Sequence, residues 1–207
     1  MIYFCKTPGW LKKIYASCTW QIKTDKKIIY LSFDDGPHPE ATPFVLDELK
    51  KYNARATFFC IGKNVAAHPD IYTRIIDEGH TTANHTFNHL NGWKTKMDLY
   101  LENIAAAQQL ICTDLFRPPY GKITFSQMRH LLNRQRPFKI IMWTVLSGDF
   151  DPGISNLQCL HNVISNAGKG SIVVFHDSEK ALNKMQFTLP KILAHFTEQG
   201  YQFEKIS

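Results

Sequence analysis

Short runs of β-branched and aromatic residues recur along this chain without polar alternation. Lys27–Phe33, Ala56–Ile61, Lys139–Val145 and Ser171–His176 are the strongest. Thr81–His85, Leu115–Arg117 and Gln202–Ile206 are shorter or weaker. A strand that is apolar on both faces must be buried on both faces, as in a parallel sheet covered by helices. Helical patterns fill the intervals. Thr42-Pro43 opens one that runs to Tyr52, and Pro69–Glu78 stops at Gly79. Lys96–Ile111, Thr124–Gln135, Ser155–Asn166 and Leu189–Gln199 follow. Strand and helix alternate about seven times with short connections, which predicts an α/β fold with a parallel sheet. That many units in one domain point to a closed or nearly closed (β/α) barrel of about seven parallel strands, with an open doubly wound sheet as the alternative.

Composition narrows the class. At 207 residues and 44% hydrophobic, the chain buries one core and reads as a single domain over residues 27–207. Residues 1–26 read as an N-terminal extension packed on it. The net charge of +6 is spread along the chain without a basic run, so no nucleic-acid partner is expected. The five cysteines show no C-x-x-C pair, which excludes a thiolate zinc site and a disulfide framework. Cys60, Cys112 and Cys159 have apolar neighbours and read as small hydrophobes in a reducing compartment. Met1–Cys5 is too short for the apolar part of a signal peptide, and Lys6, Pro8, Lys12 and Lys13 interrupt the next segment. No run approaches the roughly 20 apolar residues of a membrane span. The expected location is the cytoplasm or the periphery of a membrane, with Trp10, Leu11, Ile14 and Tyr15 packed onto the domain. The sequence carries no signal for an oligomeric state.

Reactive groups of a β/α barrel sit where strands end. Here the strand ends deliver Asp34 and Asp35, His85 and His89, Arg117, Asp149 and His176. Adjacent carboxylates repel unless a cation compensates them, and Gly36-Pro37 supplies a tight turn behind this pair. His85 and His89 are spaced to share one helical turn, and two imidazoles with one carboxylate make a facial metal site with open positions. Two prolines stiffen the segment after Arg117. His80 begins a strand instead of ending one and reads as structural.

The order of motifs resembles a known family. Ser-Phe-Asp-Asp-Gly-Pro (32–37), Asn-His-Thr-x-x-His (84–89), Arg-Pro-Pro-Tyr-Gly (117–121), Trp-x-x-x-x-x-Asp (143–149) and Val-Phe-His-Asp (174–177) are similar to polysaccharide deacetylases with the NodB homology domain, carbohydrate esterase family 4. The resemblance runs from Lys27 to the C-terminus and implies a distorted (β/α) barrel that hydrolyses N-acetyl groups on a glycan or sugar intermediate. It implies a divalent metal on Asp35, His85 and His89, usually Zn2+, with Co2+, Ni2+, Mn2+ or Fe2+ as alternatives. It implies Asp34 as general base tethered by Arg117, the Tyr120 N–H at the oxyanion, and His176 as general acid with Asp149 setting its protonation. Val174 and Phe150 line the acetyl pocket in this reading, and Trp93 and Tyr120 are platforms for sugar faces. Four positions depart from the family pattern. Ser32 replaces Thr, Leu146 replaces Asp, Phe150 replaces Trp and Val174 replaces Leu. The last two predict a wider, less polar acyl pocket.

Overall fold

Burial with a period of two decides which way each strand presents its side chains. The computed structural model describes residues 3–207. In β1 (Ile28–Asp34), Ile29, Leu31 and Phe33 belong to the core beneath the helices, whereas Tyr30 belongs to a separate apolar cluster inside the barrel. Ser32 and Asp34 share the parity of Tyr30. The same division runs through β2 (Ala56–Cys60), β3 (Thr81–Asn84), β4 (Leu115–Phe116) and β7 (Ile172–His176). Phe59, Ala83, Leu115 and Ile172 fill the interior with Tyr30 and Ile206. Both faces are buried, which is why these strands read as continuous apolar runs.

The strands pair in parallel, in the order β5 (Lys139–Ile140), β4, β3, β2, β1, β7, β6 (Val145–Leu146). A short β8 (Gln202–Phe203) pairs with the start of β1. The result is a distorted barrel in one α/β domain, as expected, but Lys139–Val145 is not one strand. Its first part pairs with β4 and its last part with β7. A run that leaves one neighbour for another must turn between them, and the turn falls at residues 141–144. There the N-terminal segment supplies partners. Thr19 bridges Ile141, Met142 N–H donates to the Thr19 carbonyl at 2.8 Å, and Thr144 Oγ1 donates to the Trp20 carbonyl at 2.8 Å. Lys6 bridges Val145 and Gln21 bridges Ser171, both antiparallel. Residues 1–2 of the extension lie outside the described residues.

Eight α-helices occur among the described residues. α2 (Ala41–Lys51), α4 (Pro69–Asp77), α5 (Met97–Gln108), α6 (Phe125–Leu132) and α7 (Asn156–Ile164) fall where apolar periodicity placed them. Two short ones, α1 (Gly9–Ile14) and α3 (Gly62–Ala67), were not legible. α8 (Glu179–Glu198) begins well before the expected Leu189, because Pro190 imitates a helix start. Inside the helix, Pro190 has no N–H for the Gln186 carbonyl. The helix tolerates it because Met185, Leu189, Ile192, Leu193 and Phe196 are all buried. Leu11 and Tyr15 pack against the core, whereas Trp10 and Ile14 are exposed. All five cysteines are free. Cys60 and Cys159 are buried, but Cys112 is exposed, on the loop that leaves α5. No helix among the described residues is long and apolar enough to cross a membrane.

Gly170 pins the extension to the barrel. Its φ is +74°, and an added Cβ would lie 2.0 Å from the Ile22 carbonyl oxygen. Gly170→Ala is expected to cost about 2–4 kcal/mol through steric overlap and left-handed backbone strain. Gly168→Ala, where a Cβ meets nothing within 4 Å, serves as the control. Urea unfolding of the two variants checks this, and coincident midpoints would contradict the close contact at residue 22.

Candidate active site

The inward parity set continues past the apolar plug into polar residues. Asp34, His85, Arg117 and His176 extend the rows of Tyr30, Ala83, Leu115 and Ile172 to one mouth of the barrel. Arg117 is completely buried. Its Nη1 donates to Asp34 Oδ1 at 2.6 Å and to Ser32 Oγ at 2.8 Å. Its Nε and Nη2 donate to the carbonyls of Ile141 and Met142 at 3.1 and 3.2 Å. The guanidinium lies 3.8 Å over the Phe59 ring. Asp34, also buried, is therefore held as one half of a buried ion pair.

Asp35 turns the other way. Its φ of 83° swings its carboxylate away from Asp34. The turn is built from outside. Asn64 Nδ2 donates to the Asp35 carbonyl at 2.7 Å, and Gly36 N–H donates to Asp177 Oδ1 at 3.0 Å. A Cβ at Gly36 would lie 2.0 Å from Asp177 Oδ2, so only glycine fits there. Asp35 Oδ1 faces His89 Nε2 at 3.1 Å and His85 Nε2 at 3.7 Å. Neither contact has hydrogen-bond geometry, and this buried oxygen has no hydrogen-bond partner. The candidate ligand atoms of the three residues all lie within 4.8 Å of one another. His85 Nδ1 lies 2.7 Å from the Arg117 carbonyl, which fixes its proton there and turns the Nε2 lone pair to the centre. Burial pushes the His85 imidazole down to about 4, which favours the neutral, ligating form. A carboxylate, two imidazoles and a buried oxygen that no protein group satisfies fit a divalent metal ion.

The two histidines do not share a helical turn. β3 ends at Asn84, and residues 85–89 form a loop with Thr86 and His89 at φ 64° and 56°. Side chains from outside the ligand set satisfy its backbone. Asn84 Oδ1 accepts from Thr86 N–H at 2.8 Å. Asn103 Oδ1 accepts from Phe87 and Asn88 N–H, both at 2.9 Å. These amides outcompete the helix that the spacing suggested.

Across the mouth, His176 Nδ1 lies 2.8 Å from Asp149 Oδ1, and His176 N–H donates to Asp149 Oδ2 at 2.7 Å. Ser147 Oγ donates to the same carboxylate at 2.9 Å. Burial lowers the His176 imidazole, but Asp149 and the more distant Asp35 and Asp34 outweigh it and raise it to about 9. Phe150 packs edge-on against His176 with centroids 5.0 Å apart. Val174 is buried in the wall between Ser32 and Leu146. Tyr120, at φ 60°, lays its exposed ring 4.5 Å from that of His89. Trp93 is exposed and anchored by its Nε1–H to the Ile123 carbonyl at 3.0 Å. The structure thus gathers Asp34, Asp35, His85, His89, Arg117, Asp149 and His176, with Tyr120 exposed beside His89.

Asp177 had no role in the sequence reading beyond its place in a motif. It is completely buried, receives Thr42 Oγ1 at 2.6 Å besides Gly36 N–H, and burial pushes its carboxyl up to about 8. The signal was its position beside His176. Asn103 and Ser147 carried none. His80 is structural, as read. It is buried, accepts from Ala56 N–H at 3.2 Å, and burial lowers it to about 4.

Known proteins share this arrangement of chain. The sequence model of the polysaccharide deacetylase family matches residues 21–134. A peptidoglycan-N-acetylglucosamine deacetylase of Bacillus cereus is 34% identical over 198 residues, 91% of each chain. A chitooligosaccharide deacetylase of Azorhizobium caulinodans is 35% identical over 167 residues, 76% of this chain and 77% of the relative. The solved Bc1960 peptidoglycan N-acetylglucosamine deacetylase, in complex with 4-naphthalen-1-yl-N-oxidanyl-benzamide, superposes with a TM-score of 0.86 at 32% identity, over 97% of this chain and 95% of that one.

The His176–Asp149 pair makes a prediction for the metal-free protein. The folded imidazole titrates at about 9, above its unfolded value of about 6.5. Its stabilising contribution is therefore complete below about pH 6.5 and lost as pH rises through about 9. Asp149→Asn removes the main raising charge, so burial should bring the imidazole down. NMR titration of His176, with unfolding measured from pH 6 to 10, checks this. An unchanged titration in Asp149→Asn would contradict it.

Proposed function

Because the chain belongs to the polysaccharide deacetylase family, we propose that it is a metal-dependent hydrolase that removes N-acetyl groups from amino sugars of a glycan or glycan precursor. One observation carries the reading. A single mouth joins a carboxylate paired with a buried guanidinium, a carboxylate–imidazole–imidazole cluster with an orphaned oxygen, and an imidazole raised by its own carboxylate. The relatives that act on peptidoglycan and chitooligosaccharides support the substrate class.

Asp35, His85 and His89 would hold the metal, with zinc the choice that best suits this donor set. A divalent ion there supplies Lewis acidity to the amide carbonyl and to the attacking water. Asp34 takes the proton from that water as its oxygen bonds to the carbonyl carbon. Arg117 holds the Asp34 carboxylate in place through its 2.6 Å bond. The Tyr120 N–H donates to the oxyanion, a contribution of about 3–4 kcal/mol at comparable acyl-transfer sites. The amine cannot leave as an anion. His176 gives it a proton as the C–N bond breaks, and acetate and a free amino sugar result. Asp149 keeps His176 protonated until then. Trp93 and Tyr120 present flat ring faces that suit the apolar faces of sugar rings.

Acetate release from a panel of N-acetylated glycans by metal-loaded protein tests the reading, and silence across the panel would refute it. Two variants separate the roles. His89→Ala is expected to lose both metal and activity. Asp34→Asn is expected to keep metal and to lose roughly 10²–10⁴-fold in rate. Metal content by elemental analysis beside kcat checks both, and equal metal loss would contradict the assignment of Asp34 as base.

A further inference from the structure

Phe150 does not stand alone against His176. Tyr3, from the N-terminal segment, packs on Phe150 with centroids 5.3 Å apart and planes tilted by 54°. The rings of Tyr3, Phe150 and His176 thus form a row, with Phe150 in the middle. The Tyr3 hydroxyl lies over the backbone of Gly148. A Cβ there would come within 2.7 Å of Tyr3 Oη, and Gly148 has φ +81°. The Asp151 carboxylate neighbours the same hydroxyl, and burial and this charge together raise the phenol. Tyr3 therefore covers the whole turn from Gly148 to Asp151, which carries both Asp149 and Phe150. Its own place is set by the barrel. Leu146 N–H donates to the Cys5 carbonyl at 2.8 Å, and Thr7 N–H donates to the Thr144 carbonyl at 2.9 Å. These bonds run the segment antiparallel along β6, straight to the mouth.

We infer that Tyr3 is a specificity-determining residue, which completes the acyl-pocket wall in partnership with Phe150. The inference rests on the deacetylase reading. Phe150 packs against His176, and the Tyr3 ring backs it from a segment distant in sequence. The wall is then a composite of two rings, and the pocket stays sized for acetyl. Tyr3 touches no reacting atom. It acts by holding Phe150 against His176.

The test is the ratio of kcat/KM for short N-acetylglucosamine oligomers to kcat/KM for N-propionyl and N-butyryl oligomers, measured on metal-loaded protein. A ratio taken on one sample does not depend on the fraction folded, so a partly destabilised variant still reports. Tyr3→Ala is expected to lower the acetyl-to-butyryl ratio about tenfold or more, the scale of small volume changes in apolar pockets. Tyr3→Phe, which keeps the ring, is expected to keep the ratio. Tyr3→Ala combined with Phe150→Trp is expected to regain it, because the indole takes the vacated space. If Tyr3→Ala slows all three substrates by one common factor, or leaves all unchanged, Tyr3 does not shape specificity. If wild type hydrolyses none of the three, the deacetylase reading falls and takes this inference with it.

Discussion

The buried ion pair of Arg117 and Asp34 organises the mouth of this barrel. A guanidinium removed from water is costly unless every donor finds an oxygen. Arg117 has five N–H groups. Asp34, Ser32 and the carbonyls of Ile141 and Met142 take four of them, and the flat face rests on Phe59. The acceptors come from two parts of the wall, β1 and the turn at residues 141–144. The side chain joins β4 to β1, and both to the turn where the chain leaves β5 for β6. The interruption of the barrel and the placement of Asp34 are thus one feature. The carbonyls exposed where the run changes partner are the ones that satisfy the arginine.

This pair also explains how two neighbouring carboxylates coexist. Asp34 points inward and is neutralised by Arg117. Asp35, through a positive φ, points at two imidazoles instead. The two carboxylates thus face different partners across the turn. Asp177 enforces the geometry from behind by occupying the space a side chain at Gly36 would need. His176 stands on the far side with its own carboxylate, Asp149. Asp34, the Asp35–His85–His89 cluster and His176 each have their own neighbours around one mouth.

Much of this was legible residue by residue. Asp34, His85, Arg117 and His176 follow apolar runs, and a strand end inherits the inward direction of the residue two before it. Their convergence is therefore readable from the chain alone. The helical turn that the spacing of His85 and His89 suggests does not form, because spacing alone does not reveal that Asn84 and Asn103 bind the loop's N–H groups. Pro190 misleads for a similar reason. Its local signal is a helix start, and only burial of the flanking residues in α8 overrides it. The break after Ile140 could not be read at all, since the residues there suit a strand and only a change of partner interrupts them.

The sequence by itself determined the direction of side chains along each strand, the set of groups at the strand ends and the class of fold. All of these follow from short-range periodicity, which neighbouring residues carry between them. Tertiary structure alone decided pairings that no local pattern carries: Arg117 with the Ile141 and Met142 carbonyls, Asp177 with Gly36, and Tyr3 with Phe150. Such pairings join residues far apart in the chain, and they are selected by the desolvation cost of leaving a buried charge or hydrogen-bonding group unmatched. That cost is set by what surrounds a group after the barrel has formed.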